Sequence, residues 1–195
     1  ELKHAHFFFL CVILKKVIKM KIIKVEVGML KCNCYLLEKD NKCLLIDPGD
    51  EDEKIINFIK DHKILGILVT HHHFDHIGAL KKLEEKFHYP VYSYDNLEEG
   101  RLNIGPFSLE VLFTKGHSQD SVTYYFKEEK VMFVGDFIFK TTIGRCDLEG
   151  GNFHEMLSSI KKIKQYPKEI TLYPGHGEKT TLDFEIQNNP YFKSL

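Results

Sequence analysis

The sequence predicts an α/β fold in which two packed β-sheets carry helices on their outer faces, an αββα four-layer sandwich. Three observations predict it. Strand-length apolar runs follow one another and are interrupted by a few amphipathic helical stretches, the pattern of sheet packed on sheet with helices outside. The 195 residues, 43% of them hydrophobic, suffice to fill the core of one domain. Polar residues able to bind metals recur directly after strands, where a rigid scaffold presents side chains to open solvent.

Taken in order, the first clean strand is Lys21–Val27, opened by Met20. Strands at 32–38 and 43–47 follow, joined by the turn Lys39-Asp40-Asn41-Lys42, and Asp47-Pro48-Gly49 closes this meander. A helix over 51–61 has Ile55, Ile56 and Ile59 on one face and acids in its first turn. The apolar run 64–69 reads as a buried strand, followed by a helix over 77–87 with Leu80, Leu83 and Phe87 inward. Short strands are expected at 91–93, 101–103 and Phe107–Phe113. The second half repeats the plan: strands at 122–127 and 130–134, a glycine-bearing loop over 135–151, and a helix over 152–166 with Met156, Leu157, Ile160 and Ile163 at helical spacing. A last strand at 170–173 leads to Pro174-Gly175-His176-Gly177 and a helix at Leu182–Asn188. The strand runs read as antiparallel. No linker, low-complexity segment or short-period repeat interrupts them.

Composition narrows the function classes. Lys and Arg number 27 against 28 Asp and Glu, a net charge of −1, which gives no electrostatic footprint for nucleic acid. No apolar run approaches the roughly 20 residues of a membrane span. Five cysteines at irregular spacing do not form a disulfide framework, so a reducing cytoplasm is expected. Residues 1–19 read as a leader or an upstream extension, because Glu1 is not a natural start and the lysines follow the short apolar stretch rather than precede it. A basic membrane contact over 15–24 is the weaker alternative to an edge strand or an uninformative leader. Residues 20–195 form the domain.

The chemistry centres on His71-His72-His73-Phe74-Asp75-His76, set at the end of the 64–69 strand. His71 and His73 can point to one side, while Asp75 and His76 follow a turn and can face a second position, so the spacing suits two neighbouring metal ions. Imidazoles with a carboxylate favour zinc or iron over magnesium or calcium. The alternative is a solvated histidine-rich turn or a single structural zinc site, and structural zinc usually takes cysteine. Three more candidates occupy the same kind of position, each beside a glycine: His117 after the strand ending at Phe113, Asp136 in Val134-Gly135-Asp136, and His176. His72 receives no role, and His62, His88 and His154 read as ordinary helix or surface residues.

His-x-His-x-Asp-His, then Gly-His-Ser, Gly-Asp and Gly-His, in this order over nearly the whole chain from Met20, resembles the metallo-β-lactamase superfamily. The resemblance implies that αββα fold and two divalent ions, with zinc favoured and iron or manganese as alternatives. It implies one ion on His71, His73 and His117, another on Asp75, His76 and His176, and Asp136 bridging, with Asp75 and Asp136 as the catalytic carboxylates. Asp47 matches a residue that supports the ligands from behind. Two such ions, roughly 3.5–4 Å apart, bind a water and lower its pKa toward 7, and they polarise a carbonyl. No serine or cysteine nucleophile is then required, and Cys146 reads as an incidental thiol.

Asn33-Cys34-Tyr35-Leu36, Gly116-His117-Ser118, Gly144-Arg145-Cys146-Asp147 and Asn188-Asn189-Pro190 are similar to short glyoxalase II-like hydrolases. These resemble hydroxyacylglutathione hydrolase, which cleaves S-lactoylglutathione. Cys146, Glu149 and Glu178 replace a usual Thr, Pro and Pro, which bears on substrate preference. The full-length enzymes carry a further helical domain that grips glutathione, so here those contacts are expected from the core. Arg145 is the first candidate to bind a substrate carboxylate, with a surface ion pair as its alternative; Lys140 and Tyr173 follow. The expected function is therefore metal-dependent hydrolysis of a glutathione thioester. The alternatives are an iron-dependent persulfide dioxygenase, a lactone or ester hydrolase on the same fold, and a non-enzymatic metal-binding module. The expected partner is a small-molecule substrate, with neither nucleic acid nor membrane, and the sequence sets no oligomeric state.

Overall fold

The computed structural model describes residues 19–195. The expected leader therefore lies outside the described residues, apart from the exposed Lys19. Strands β1 (Lys21–Val27), β2 (Cys32–Lys39), β3 (Lys42–Ile46), β4 (Ile64–Leu68) and β5 (Val91–Tyr92) form one sheet in that order. The second sheet contains β6 (Gly100–Ile104), β7 (Phe107–Phe113), β8 (Val122–Phe126), β9 (Val131–Gly135), β12 (Thr171–Pro174) and β13 (Thr180–Thr181), in the order β13-β12-β9-β8-β7-β6. The hairpin β10 (Ile138–Phe139) and β11 (Thr142–Ile143) stands apart. Helices α1 (Asp52–Ile59), α2 (Phe74–Ile77) and α3 (Leu80–Phe87) belong to the first half, and α4 (Phe153–Ile163), α5 (Leu182–Asn188) and α6 (Pro190–Lys193) to the second.

The layers follow from alternation along the strands. In β2, Tyr35 and Leu37 face the second sheet, where they meet Phe107, Tyr124, Phe126 and Phe133. Their neighbours Cys34 and Leu36 face outward onto Ile55 and Ile59 of α1 and Leu80 and Leu83 of α3. The second sheet does the same, with Met132 of β9 and Leu172 of β12 turned onto Met156, Ile160 and Ile163 of α4. Both sheets are covered on both faces, which is why β3, β8 and β9 are almost wholly apolar rather than alternating. The expected four-layer sandwich is the observed one.

Three expectations are corrected. The antiparallel reading holds for β1-β2-β3 and β6-β7-β8-β9, but β3-β4, β4-β5 and β9-β12 pair in parallel, each across a helix-bearing connection. The helix expected over 77–87 is split into α2 and α3. The Ala79 amide donates to Pro48 O at 3.0 Å instead of continuing the helical ladder, and Gly78 packs so closely on Gly49 that an added Cβ would lie 2.2 Å from its carbonyl oxygen. The loop over 135–151 contains the β10-β11 hairpin. Beyond α5, Asn189 caps α6 by accepting from the Tyr191 amide at 3.1 Å, with Pro190 at the first helical position.

Two polar ties hold the sheets in register across the apolar layer. The Tyr124 hydroxyl, fully buried, donates to Val69 O at 2.7 Å, with Tyr92 O at 2.9 Å. Tyr35 Oη donates to Pro174 O at 2.6 Å, and the Asn33 amide nitrogen donates to Pro174 O and Gly177 O at 3.0 Å each. These bonds fix the ends of β4 and β12, the two strands that lead into His71 and His176. Replacing Tyr124 with Phe is expected to keep the ring packing and lose the hydroxyl's bonds, lowering stability by about 1–2 kcal/mol. A urea titration should show a lower midpoint with an unchanged m-value.

Candidate metal centre

All of the strand-end residues converge at one edge of the sandwich. His71 and His73 come from the loop after β4, His117 from the loop after β7, Asp136 from the turn after β9 and His176 from the loop after β12. His71 Nε2 lies 3.0 Å and His117 Nε2 2.9 Å from His73 Nδ1, so three ring nitrogens face a common point. Beside them, His176 Nε2 is 3.1 Å and His76 Nε2 3.8 Å from Asp75 Oδ2. Asp136 stands between the groups. Its Oδ1 is 3.3 Å from His76 Nε2, and its Oδ2 is 3.7 Å from both His117 Nε2 and His176 Nε2.

The rings are aimed from behind. His117 Nδ1 donates to Arg145 O at 2.8 Å and His176 Nδ1 to Leu30 O at 2.9 Å, which frees Nε2 of each for the cluster. Asp47 does most. Its Oδ1 accepts from the Thr70 amide at 2.8 Å, and its Oδ2 accepts from the Thr70 hydroxyl at 2.7 Å and from His76 Nδ1 at 2.9 Å. To reach them Asp47 adopts a left-handed backbone with φ 48°, which an Asp tolerates better than most residues. Gly175 is required by space, since a Cβ there would lie 2.3 Å from Asp136 Oδ1 and 2.5 Å from His76 Cε1. Gly135, at φ 51°, turns β9 into Asp136 where a side chain would strike Thr70.

The electrostatics divide the imidazoles. Burial, reinforced by the neighbouring His76 and His117, pushes His71 well below its ordinary range, and burial with His117 lowers His73. Burial also works against charge on His76, but the carboxylates of Asp136 and Asp47 and the Cys32 thiol outweigh it and hold its pKa well above the usual value. Burial opposes His176 in the same way, yet Asp75 raises it. Asp136, despite a burial penalty, is kept below the ordinary carboxylate range by His76.

Imidazole and carboxylate donors of this kind suit zinc, iron or manganese. An ion also resolves an anomaly of packing. His76 Nε2 and Asp136 Oδ1 are both buried without a hydrogen-bond partner, because they approach each other out of alignment. Two buried polar atoms left so in a folded core point to a missing partner between them.

The candidate substrate residues fare differently. Arg145 lines the cavity of about 720 Å³ over the cluster, with its guanidinium held by Asp147 at 2.8 Å, the surface ion pair weighed as its alternative. Lys140 pairs with Glu178 at 2.8 Å and faces a smaller hollow beside His176. Tyr173 is not brought to the cluster. It stacks on Phe133 at 5.1 Å and lines a separate cavity with Tyr35 and Lys179, because β12 alternation turns it inward while His176 continues past the strand end. Cys146 donates to Gly144 O, and burial raises its pKa, which does not suit a nucleophile.

Sequence reasoning missed five contributors. Cys32 lies 3.7 Å from His76 Nδ1. The carbonyls of Leu30 and Arg145 carry no side-chain signal at all. His72 is clasped by Asp120, whose Oδ2 accepts from its amide at 3.0 Å and lies 2.5 Å from its Nδ1, tying the His71–His73 turn to the His117 loop. The matching hydrogen-bonding groups of His72 and Asp120, two residues of unassigned role in two site loops, were the available signal.

Asp47→Asn is expected to keep the fold while placing an amide donor against Thr70 and His76 Nδ1. Any ion held on His76 should then bind about 10- to 100-fold more weakly. Competition with a chromophoric chelator measures this, and unchanged affinity would remove Asp47 from its aiming role.

The sequence profile of the metallo-β-lactamase superfamily matches residues 27–108 and 96–176. The chain is 39% identical over 209 aligned residues to the probable metallo-hydrolase YqgX of Bacillus subtilis, covering 90% of this chain and 99% of that protein. It is 30% identical over 210 residues to the hydroxyacylglutathione hydrolase GloC of Haemophilus influenzae, covering 90% and 99%. Among solved structures it superposes on the BLEG-1 B3 metallo-β-lactamase with a TM-score of 0.83 at 33% identity, covering 88% of this chain and 99% of that one. With TTHA1623 in a di-iron-bound form the TM-score is 0.80 at 35% identity, covering 87% and 99%. Fold, matched profile and relatives agree: the chain belongs to the metallo-β-lactamase superfamily of metal-binding hydrolases.

Proposed function

We propose that the chain is a two-metal hydrolase of thioesters, with a glutathione thioester such as S-lactoylglutathione as the substrate type. The observation that carries the two-metal reading is the pair of orphaned buried atoms, His76 Nε2 and Asp136 Oδ1, beside the His71-His73-His117 group and the contacts of His76 and His176 with Asp75. One ion would take His71, His73 and His117, the other Asp75, His76 and His176, with Asp136 serving both. When bound, the ions supply a water acidic enough to ionise near neutral pH and a Lewis acid for the scissile carbonyl. In the overall reaction water provides the new C–O bond, the C–S bond breaks, and the departing thiolate takes up a proton.

The chain's own groups prepare for this. Asp136 is held ionised among imidazoles, and Asp75 is held low by His176 against its burial. Among the described residues, no serine or cysteine lines the cavity over the cluster, so a side-chain nucleophile has no candidate among them. Arg145 on the rim can exchange Asp147 for a substrate carboxylate, a swap between two solvent-exposed partners that involves little desolvation. The glutathione preference is supported by the loop motifs around Arg145 and His117 and by the likeness to GloC. The likeness to a di-iron-bound structure supports iron as readily as zinc. Persulfide oxidation, on one iron held by two histidines and an aspartate, is the second reading.

Protein loaded separately with zinc and with iron is expected to hydrolyse S-lactoylglutathione, and His73→Ala to abolish turnover. Absence of turnover by metal-replete protein would refute the thioester assignment; oxygen uptake with glutathione persulfide by the iron form would replace it with the second reading.

Metal loading should also depend on pH in a definite direction. His71 and His73 are already neutral near pH 7, whereas His76 and His176 have raised pKa values and must release protons before their Nε2 atoms can bind an ion. The position built on His71 and His73 should therefore fill at lower pH, and the second ion should be taken up as pH rises. Metal content measured after dialysis at a series of rising pH values should climb from one ion per chain to two; a pH-independent content would contradict the assignment.

A further inference from the structure

The cavity over the metal centre is walled by apolar side chains that the fold does not use. Leu30 is 55% exposed, Phe74 75% and Leu148 40%, and they line this cavity together with Phe139. None of the four belongs to the packed cores or to the partly buried residues against them. They come from three separate connections: the β1-β2 turn, the start of α2, and the loop over 135–151, which supplies Phe139 and Leu148. A single exposed Leu or Phe means little, but four brought together from three connections around one concave site mark a surface built for an apolar ligand.

The polar lining says the same. Apart from Arg145, every polar residue of the cavity belongs to the candidate metal centre: His73, Asp75, His117, Asp136 and His176. No Ser, Thr, Asn or Gln stands ready to bond a hydroxyl on the acyl group, as lactate carries. The flanking cations Arg145 and Lys140 are both engaged, by Asp147 and Glu178.

We propose, resting on the thioester-hydrolase reading, that this wall selects the acyl group and that the preferred substrates are thioesters of apolar carboxylic acids longer than lactate. Phe74, which stands between the candidate ligands His73 and Asp75 in the chain, lines the cavity, and Leu30, whose carbonyl holds His176, and Leu148 continue the wall. The apolar acyl chain lies along them, and the thiol portion leaves toward Arg145.

The test is a series of S-acylglutathiones, acetyl, lactoyl, butyryl and hexanoyl, with metal-replete protein. The kcat/KM should rise about two- to fourfold per added methylene, and hexanoyl should exceed lactoyl. Leu30→Ser with Leu148→Ser, at exposed positions outside the cores, should lower the hexanoyl-to-acetyl ratio about fivefold or more, with metal content and near-UV circular dichroism as controls for folding. Turnover of the whole series with a flat or falling slope would overturn this proposal and leave the thioester reading standing. A rising slope that the double variant does not change would overturn the assignment to this wall. If no member is turned over by metal-replete protein, the thioester reading itself falls, and the acyl preference with it.

Discussion

The bond between Asp47 and His76 is the constraint on which the site depends. Three backbone connections meet there: the end of β3, which delivers Asp47; the end of β4, whose Thr70 binds both carboxylate oxygens; and α2, which carries His76. A carboxylate only 2% exposed would be costly without such partners. With them it sets the His76 tautomer, keeps Nε2 toward Asp136, and fixes where the histidine loop leaves the sheet. The left-handed turn at Asp47 and the break between α2 and α3 both serve this geometry. Ala79 gives its amide to Pro48 so that the Asp47-Pro48-Gly49 turn can lie against the start of α3.

Much of this was legible in the sequence because the fold repeats one simple grammar. Apolar runs of strand length end in a glycine and a ligand-type residue, and the side chain beyond the strand end projects into the same space each time. Thus His71, His73, His117, Asp136 and His176 were located by their positions at strand ends. What could not be read was set by non-local geometry. Parallel pairing of β9 with β12 depends on where α4 packs, which local patterning does not encode. Tyr173 carried the right chemistry at the right place in the chain, but strand alternation turns it into the core. The carbonyls of Leu30 and Arg145 aim His176 and His117 through main-chain atoms, and any residue type supplies those.

The site also joins two opposite environments. The histidines are driven toward neutrality where they crowd one another and toward charge where carboxylates face them, so one cluster holds both kinds of imidazole. Above it the wall is apolar, a surface that excludes water and strengthens charge interactions beneath it. Clusters of charge and exposed hydrophobes are each liabilities when alone. Here they adjoin, and the proposed substrate, a carbonyl carrying an apolar chain, would use both.

The division of the donors between two sheets has a consequence for biogenesis. His71 and His76 leave the first sheet, while His117, Asp136 and His176 leave the second, and most of the domain separates the first donor from the last. A nascent chain therefore emerges from the ribosome with the histidine loop complete but the other half of the cluster unmade. Until the sheets dock, the exposed imidazoles can take up stray transition metals without the geometry that selects among them. The geometry that selects among metals therefore exists only once the two sheets have docked.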